Sequence, residues 1–275
     1  MKKINSGLIF YEGPISRCYL NILDKKKIKL ENIYYLSKKT FFPKKINAKY
    51  NFFKFNYHPI NLLKNPFLKP VFKDILKFFN YDENFFHEMY EFSNHETRSE
   101  NNYLFKTDDI NKDEVVNAIT KSSSDLIINT GKKIYKEIFN SKKNFLHIHP
   151  AILPDIRGAD ASLWSALVSD KLGVSSFLMN REIDKGKIIN RIELDLIKLN
   201  KILVNKFDVK TSYRFWFSFI DPLIRGLEFD NIINILLKKN KVEPLNQNFI
   251  NNGEYYSFMS VENKIKVFKK IFSKN

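Results

Sequence analysis

Phe145-Leu-His147-Ile-His149-Pro150-Ala-Ile-Leu-Pro154-Asp-Ile-Arg157-Gly158 is the stretch that decides the fold. Side chains alternate along an extended backbone, so two histidines two residues apart project to one side and one pocket can use both. Pro150 and Pro154 bar a regular ladder or helix from continuing, and Gly158 allows a sharp turn into the helix-like Ala159-Asp-Ala-Ser-Leu-Trp164-Ser-Ala-Leu. The reading is a strand, a loop and a helix, and such junctions at the carboxyl ends of parallel strands are where open α/β sheets hold ligands.

Working outward, Asp125-Leu-Ile-Ile-Asn-Thr130-Gly131 reads as a buried strand ending in a turn, with its Thr130-Gly131-Lys132-Lys133 loop at the same sheet edge. Downstream, Gly173-Val174-Ser-Ser-Phe177-Leu178-Met179 reads as a strand, followed by Glu182-Ile-Asp184-Lys-Gly186 and the apolar pair Ile188-Ile189. At the start of the chain, Leu8–Tyr11, a helix from Ser16 to Lys26 and Asn32–Leu36 give the strand, helix, strand opening of a Rossmann-like sheet. The turn after the first strand offers only Gly13, not a glycine-rich cradle, so a nicotinamide cofactor is not expected. Further short elements are expected at Tyr103–Phe105, Asp109–Ile119 and Lys136–Asn140.

The stretch from Asp125 to Ile189 resembles the catalytic core of the 10-formyltetrahydrofolate-dependent formyltransferases, the family acting on methionyl-tRNA, glycinamide ribonucleotide and amino sugars. The family pattern runs Asn-x-His-Pro-Ser-Leu-Leu-Pro, Arg-Gly, a Trp-bearing helix, Gly-Val-Thr and Asp-x-Gly. This chain carries His147-x-His149-Pro150, Arg157-Gly158, Trp164, Gly173-Val174 and Asp184-x-Gly186 in that order and at similar intervals. The resemblance implies an α/β fold, a Rossmann-like and mostly parallel sheet, with a small C-terminal helical and β appendage. It divides the chain into a catalytic domain at 1–195, with an insertion expected at about 40–101, and an appendage at 196–275. The aromatic text of 40–101 can also be read as core packing under helices that cover the sheet.

By that resemblance His149 is the catalytic histidine and Asp184 the acid that orients it. Thr130, Gly131, Arg157 and Gly158 are the residues expected to bind the co-substrate, 10-formyltetrahydrofolate. Formyl transfer passes through a tetrahedral intermediate bearing a negative oxygen, which the site must stabilise while a proton leaves the amine. The family takes its oxyanion donor from an Asn two residues before the His; this chain has His147 there. A histidine N–H can serve as that donor, and a protonated His147 would couple its titration to that of His149. Taken alone, His-x-His is as consistent with packing or with two metal ligands, Asp184 with an ordinary turn, and Arg157 with a loop tether. A third metal ligand at matching spacing is not evident, so no metal is expected.

Composition sets the outer limits. Lys and Arg number 46 against 30 acidic residues, a formal net charge of +16, which would suit an anionic partner; an excess of Lys over the whole composition explains it as well. Cys18 is the only cysteine, which excludes an intramolecular disulfide and any multi-cysteine metal site. No window offers the roughly 20 apolar residues of a membrane span, so a cytoplasmic protein is expected. His58, His87 and His95 read as surface residues. The region 199–237 has helical apolar spacing, the segment Pro244 to Met259 resembles the short tail of sugar-modifying family members, and Val261–Phe272 reads as a closing helix.

The resemblance therefore implies a folate-dependent N-formyltransferase whose acceptor is a primary amine, with a nucleotide-linked amino sugar favoured by the tail. A methionyl-tRNA formyltransferase stays open because of the charge, although that branch carries a larger β-rich C-terminal domain. A folate- or sugar-binding relative that has lost catalysis stays open because of His147. A homodimer is compatible with all three.

Overall fold

In the computed structural model, which describes residues 1–38, 59–91, 98–131, 133, 135–245 and 253–274, period-two alternation sorts side chains onto the two faces of one sheet. The strands are β1 (Lys2–Tyr11), β2 (Ile28–Leu36), β3 (Ser99–Phe105), β4 (Leu126–Asn129), β5 (Asn144–His149), β6 (Ile156–Gly158), β7 (Lys171–Leu178), β8 (Lys187–Asp195) and β9 (Glu254–Tyr256). Seven of them form the main sheet in the order β3-β2-β1-β4-β5-β7-β8, and β6 pairs with β9 in a separate small ribbon. The pairs from β3 through to β5 are parallel, whereas β7 lies antiparallel to both β5 and β8. This is the mostly parallel Rossmann-like sheet expected from the sequence.

The helices that cover it are α1 (Pro14–Lys25), α2 (Pro59–Leu63), α3 (Lys69–Phe78), α4 (Phe85–Glu91), α5 (Asp113–Lys121), α6 (Ala161–Val168), α7 (Ile202–Lys206), α8 (Val209–Phe215), α9 (Asp221–Lys239) and α10 (Val261–Ile271). Leu8 and Phe10 of β1, Ile33 and Tyr35 of β2, and Leu146 and Ile148 of β5 face one core with α1 and α9. Ile9, Tyr34 and Phe145, on the alternate face of these strands, pack in a second core with Val115 and Ile119 of α5. Burying a side chain of this size contributes about 1.5–3 kcal/mol, so slipping β5 by one residue would move both histidines into the larger core and is strongly disfavoured.

The region after residue 195 packs into the same core as the sheet. Tyr19 of α1 stacks on Phe229 of α9 with ring centres 4.1 Å apart, and Trp216, just before α9, is buried with its indole N–H donating to Ser162 of α6. In the stretch expected as an insertion, the described residues of α2–α4 bury Leu62, Val71, Phe72, Ile75, Phe85 and Phe86 in that core. Its Phe41-Phe42-Pro43 and Phe52-Phe53 lie outside the described residues, as do His58 and His95; His87 is exposed. Cys18 is buried in the core, where burial pushes its thiol pKa up and leaves it a small hydrophobe. Among the described residues, no helix is long and apolar enough to cross a membrane.

Candidate active site

Three segments meet at one place: the end of β5, the turn through β6 into α6, and the β7–β8 connection, whose Asp184 reaches His149 and Gly158. They enclose a cavity of about 410 Å³ lined by His147, His149, Gly158 and Asp184 among others. His147 and His149 thus share a pocket, as their spacing predicts, with His149 buried and His147 half-buried.

His149 is fixed by its backbone surroundings. Its Nε2–H donates to the Ile156 carbonyl at 2.9 Å, and a carbonyl can only accept, so the neutral ring carries its proton on Nε2 and keeps the Nδ1 lone pair. Nδ1 faces Asp184 Oδ2 at 3.7 Å. Burial holds the His149 pKa below the ordinary histidine value; the Asp184 carboxylate pulls the other way, and the Arg225 guanidinium adds to the depression. The expected pull of Asp184 toward the protonated form is therefore present but outweighed by burial, and the ring is neutral near pH 7.

Asp184 owes its position to local backbone chemistry. It adopts a left-handed conformation, φ 54°, which Asp tolerates better than most residues. A Cβ on Gly186 would lie 1.8 Å from the Leu178 carbonyl oxygen, so the strands can close there only with glycine. These two features account for the Asp-x-Gly spacing. The carboxylate accepts a hydrogen bond from the Gly158 N–H at 2.9 Å, tying the β7–β8 loop to the turn before α6. Gly158 itself has φ 96°, and a Cβ there would meet the Tyr256 carbonyl oxygen at 2.2 Å.

The other expected residues divide. Gly131 lines the cavity, whereas Thr130 does not. The Thr130 hydroxyl donates to the Ile9 carbonyl at 2.7 Å and lies 2.6 Å from the Ser16 hydroxyl, stitching the ends of β1 and β4 together. Arg157 donates through Nη2 to the Gly253 carbonyl at 3.1 Å, so it tethers the tail and lies outside the cavity lining.

Several site residues escaped the sequence reading. Asp221 and Arg225, one turn apart at the start of α9, are buried, paired at 2.9 Å, and line the cavity; the Arg225 Nη1 also donates to the Ile148 carbonyl between the two histidines. An acid and a base four residues apart within the apolar Ile220–Leu227 was the available signal. Asp160 accepts from the Tyr213 hydroxyl at 2.7 Å and from the Met259 N–H at 2.9 Å, and so joins α8 and the tail to the cavity. Asn129 lies directly across from His147 in the β4–β5 register. From the tail, Tyr255 and Phe258 supply an exposed aromatic wall.

A second cavity of about 560 Å³ adjoins the first and shares Gly131, Lys133, Phe217 and Asp221 with it. It lies over the carboxyl ends of β1 and β4, where connections leave the sheet in opposite directions, the usual ligand crevice of an open α/β sheet. Tyr11, Tyr213 and Arg214 also line it.

Residues 85–202 match the formyl transferase family. Among curated proteins, none matches this chain. Similar solved structures include a sugar N-formyltransferase from Shewanella sp FDAARGOS_354, at 13% identity and TM-score 0.49, covering 98% of this chain and 88% of that one. A 4-N formyltransferase from Francisella tularensis gives 13% and 0.49, with 98% and 87% covered. Methionyl-tRNA formyltransferase from Clostridium thermocellum gives 18% and 0.44, with 74% and 78% covered. The matched stretch runs from α4 to the start of α7 and contains His147, His149, Gly158 and Asp184, whereas Phe217, Asp221, Arg225, Tyr255 and Phe258 of the cavity lining lie beyond it.

Proposed function

We propose that the chain is a folate-dependent N-formyltransferase that moves a formyl group from 10-formyltetrahydrofolate to a primary amine, with a nucleotide-linked amino sugar as acceptor. The observation that carries this reading is the buried His149, neutral, with Nε2–H committed to Ile156 and a basic Nδ1 facing Asp184. That is a base able to take one proton and hold it beside an anion.

The first cavity suits the donor. Tyr135, Phe177 and Met179 give it an apolar side fit for a flat heterocycle, and Gly131 and Gly158 also line it. In this proposal Arg157 acts from behind, holding the tail in place, and Thr130 lines the second cavity while its hydroxyl holds the strand ends together. The co-substrate supplies the activated formyl carbon and an amine leaving group. His147 donates a hydrogen bond to the formyl oxygen as the acceptor nitrogen bonds to that carbon and negative charge develops. The nucleophile is the neutral amine; once its nitrogen has bonded to the formyl carbon, His149 Nδ1 takes the proton from that nitrogen, Asp184 stabilises the imidazolium so formed, and His149 returns the proton to the departing folate nitrogen as the oxyanion collapses to the carbonyl and the folate nitrogen–carbon bond breaks.

The acceptor is assigned to the second cavity, where Lys133 and Arg214 supply positive charge and Tyr11, Tyr213 and Phe217 supply flat surfaces suited to a base and a phosphate linkage. The division of the chain then has a functional meaning: 1–195 supplies the reacting groups, and 196–275 supplies Asp221, Arg225 and the aromatic wall.

The test is incubation with 10-formyltetrahydrofolate and a panel of acceptor amines, following tetrahydrofolate release. Release that depends on a nucleotide-linked amino sugar supports the reading; binding of folate without release with any acceptor points to a lapsed enzyme. The +16 charge keeps tRNA as the second reading, and salt separates the two. Binding that neutralises phosphates falls with a log–log slope of about −0.7 to −0.9 per contact, so a tRNA acceptor gives a steep salt dependence and a nucleotide sugar a shallow one.

A further inference from the structure

The usefulness of His147 as a donor depends on which ring nitrogen carries its proton. That choice is written in its neighbour on β4. The Gly131 N–H lies 2.7 Å from one terminal atom of the Asn129 side chain, and a backbone N–H can only donate, so that atom is Oδ1. The other terminal atom is therefore the amide nitrogen, and it lies 3.1 Å from His147 Nδ1. An NH₂ group can only donate, so His147 Nδ1 accepts and the neutral ring carries its proton on Nε2. The arrangement has little freedom: Asn129 is 2% exposed, it stands opposite His147 in the register, and its Nδ2 also donates to the Gly131 carbonyl at 3.2 Å. The turn beyond it is held as well, since a Cβ on Gly131 would lie 2.2 Å from the Tyr11 ring.

We propose that Asn129 is a positioning residue that locks His147 as the Nε2–H tautomer, turning a group of ambiguous hydrogen-bonding sense into a fixed donor. The proposal rests on the reading of His147 as oxyanion donor for its catalytic consequence, but the tautomer itself is independent of that reading. An amide needs no such partner, because its NH₂ donates in either environment. A histidine in the same place does, since the opposite tautomer would aim a lone pair at the developing negative charge.

The experiment uses ring ¹⁵N spectra of the full chain labelled at histidine, together with steady-state kinetics. In the parent, His147 Nδ1 is expected to resonate as an unprotonated nitrogen and Nε2 as a protonated one. Asn129→Asp keeps the acceptor for the Gly131 N–H but places an acceptor opposite Nδ1. At a pH where the spectrum shows His147 neutral, the proton is expected to move to Nδ1 and kcat to fall about 10²-fold, the scale of one lost oxyanion donor, with KM for the acceptor amine little changed. In a His147→Asn background, the same change at 129 is expected to cost less than about threefold, because nothing remains to switch. A parent ring protonated on Nδ1, an Asn129→Asp ring still protonated on Nε2, or an equal loss in both backgrounds overturns the proposal and makes Asn129 a packing residue. A proton that moves as expected with kcat unchanged leaves the lock standing and overturns the donor reading of His147.

Discussion

The floor and the far wall of the cavity are built on opposite principles. On the floor, His149, Asp184, Asp221 and Arg225 are buried or nearly so, and each has a polar atom engaged with backbone or with another of the four. On the wall, Tyr255 is 59% and Phe258 75% exposed, although the backbone that carries them is anchored: Glu254 N–H donates to the Asp155 carbonyl, Ala159 N–H to the Tyr256 carbonyl, and the Trp164 indole to the Ser257 carbonyl. A buried charge tolerates little displacement, because each lost partner leaves an uncompensated group in a poorly solvated place. An exposed ring can change identity at small cost. Chemistry belongs with the first construction and selectivity with the second, and each expected outcome below probes that division.

The largest effect is expected on the floor. His149→Ala and Asp184→Asn should each lower kcat by about 10²–10⁴-fold, the usual contribution of a positioned acid–base group, while the circular dichroism spectrum shows the fold retained. The pH profile carries the sign of the His149 shift. Catalysis by this route needs the neutral ring; burial depresses its pKa, so the ring stays neutral to lower pH than a free histidine. The acid limb of kcat/KM is therefore expected below about 6.5, the unperturbed value. A limb above that value would mean that Asp184, not burial, dominates.

Next in size is His147. His147→Ala is expected to lose about 10²-fold in kcat, whereas His147→Asn should preserve or raise it and flatten the pH–rate profile, an amide donor having no titration in this range. If His147→Ala turns over like the parent, His147 belongs to the packing of Phe177, whose ring it meets edge-on at 5.7 Å, and the donor lies elsewhere.

How far these groups were legible from the sequence follows from the range over which their signals act. The alternation of Phe145, His147 and His149 is local, and it placed both histidines in one cavity because strand geometry needs no knowledge of neighbours. Asp184 was legible only through the family resemblance, since Asp-x-Gly by itself reads as an ordinary turn; the steric reason for Gly186, the Leu178 carbonyl on the neighbouring strand, appears only in the fold. Asn129 was read only as the end of a strand, since its meaning is a lateral contact across 18 residues of sequence that exists once β4 and β5 are in register. Arg157 shows the converse: next to Gly158 in sequence, it reads as part of the site, but its guanidinium crosses to Gly253, 96 residues away. Asp221 and Arg225 were hidden because their partners, Ser162 and the Ile148 carbonyl, come from other elements.

The hinge between floor and wall is Gly158, whose N–H holds Asp184 and whose missing Cβ makes room for Tyr256. Gly158→Ala introduces both a strained backbone, at about 1–3 kcal/mol, and a clash with a backbone oxygen that no rotamer can relieve. The expected result is undocking of the β6–β9 ribbon, read as a rise in hydrogen exchange at Glu254–Tyr256, with kcat and KM both impaired. Selective loss of exchange protection at the ribbon with normal kinetics would break the link between wall and floor.

The smallest expected effect is at the wall itself, and it is the one that separates the two constructions most directly. Phe258 makes few contacts in the free protein, so Phe258→Ala should leave the melting temperature nearly unchanged; the same holds for Tyr255→Ala. A ligand that covers either ring gains its contact only on binding. An aromatic contact of this kind is worth about 0.5–1.5 kcal/mol, which corresponds to a rise in KM of roughly 2- to 10-fold with kcat held. Measuring KM separately for the folate and for the acceptor amine shows which of the two the wall receives. A drop in kcat with both KM values unchanged would place Phe258 with the reacting groups, and the division between a fixed floor and an adaptable wall would not survive it.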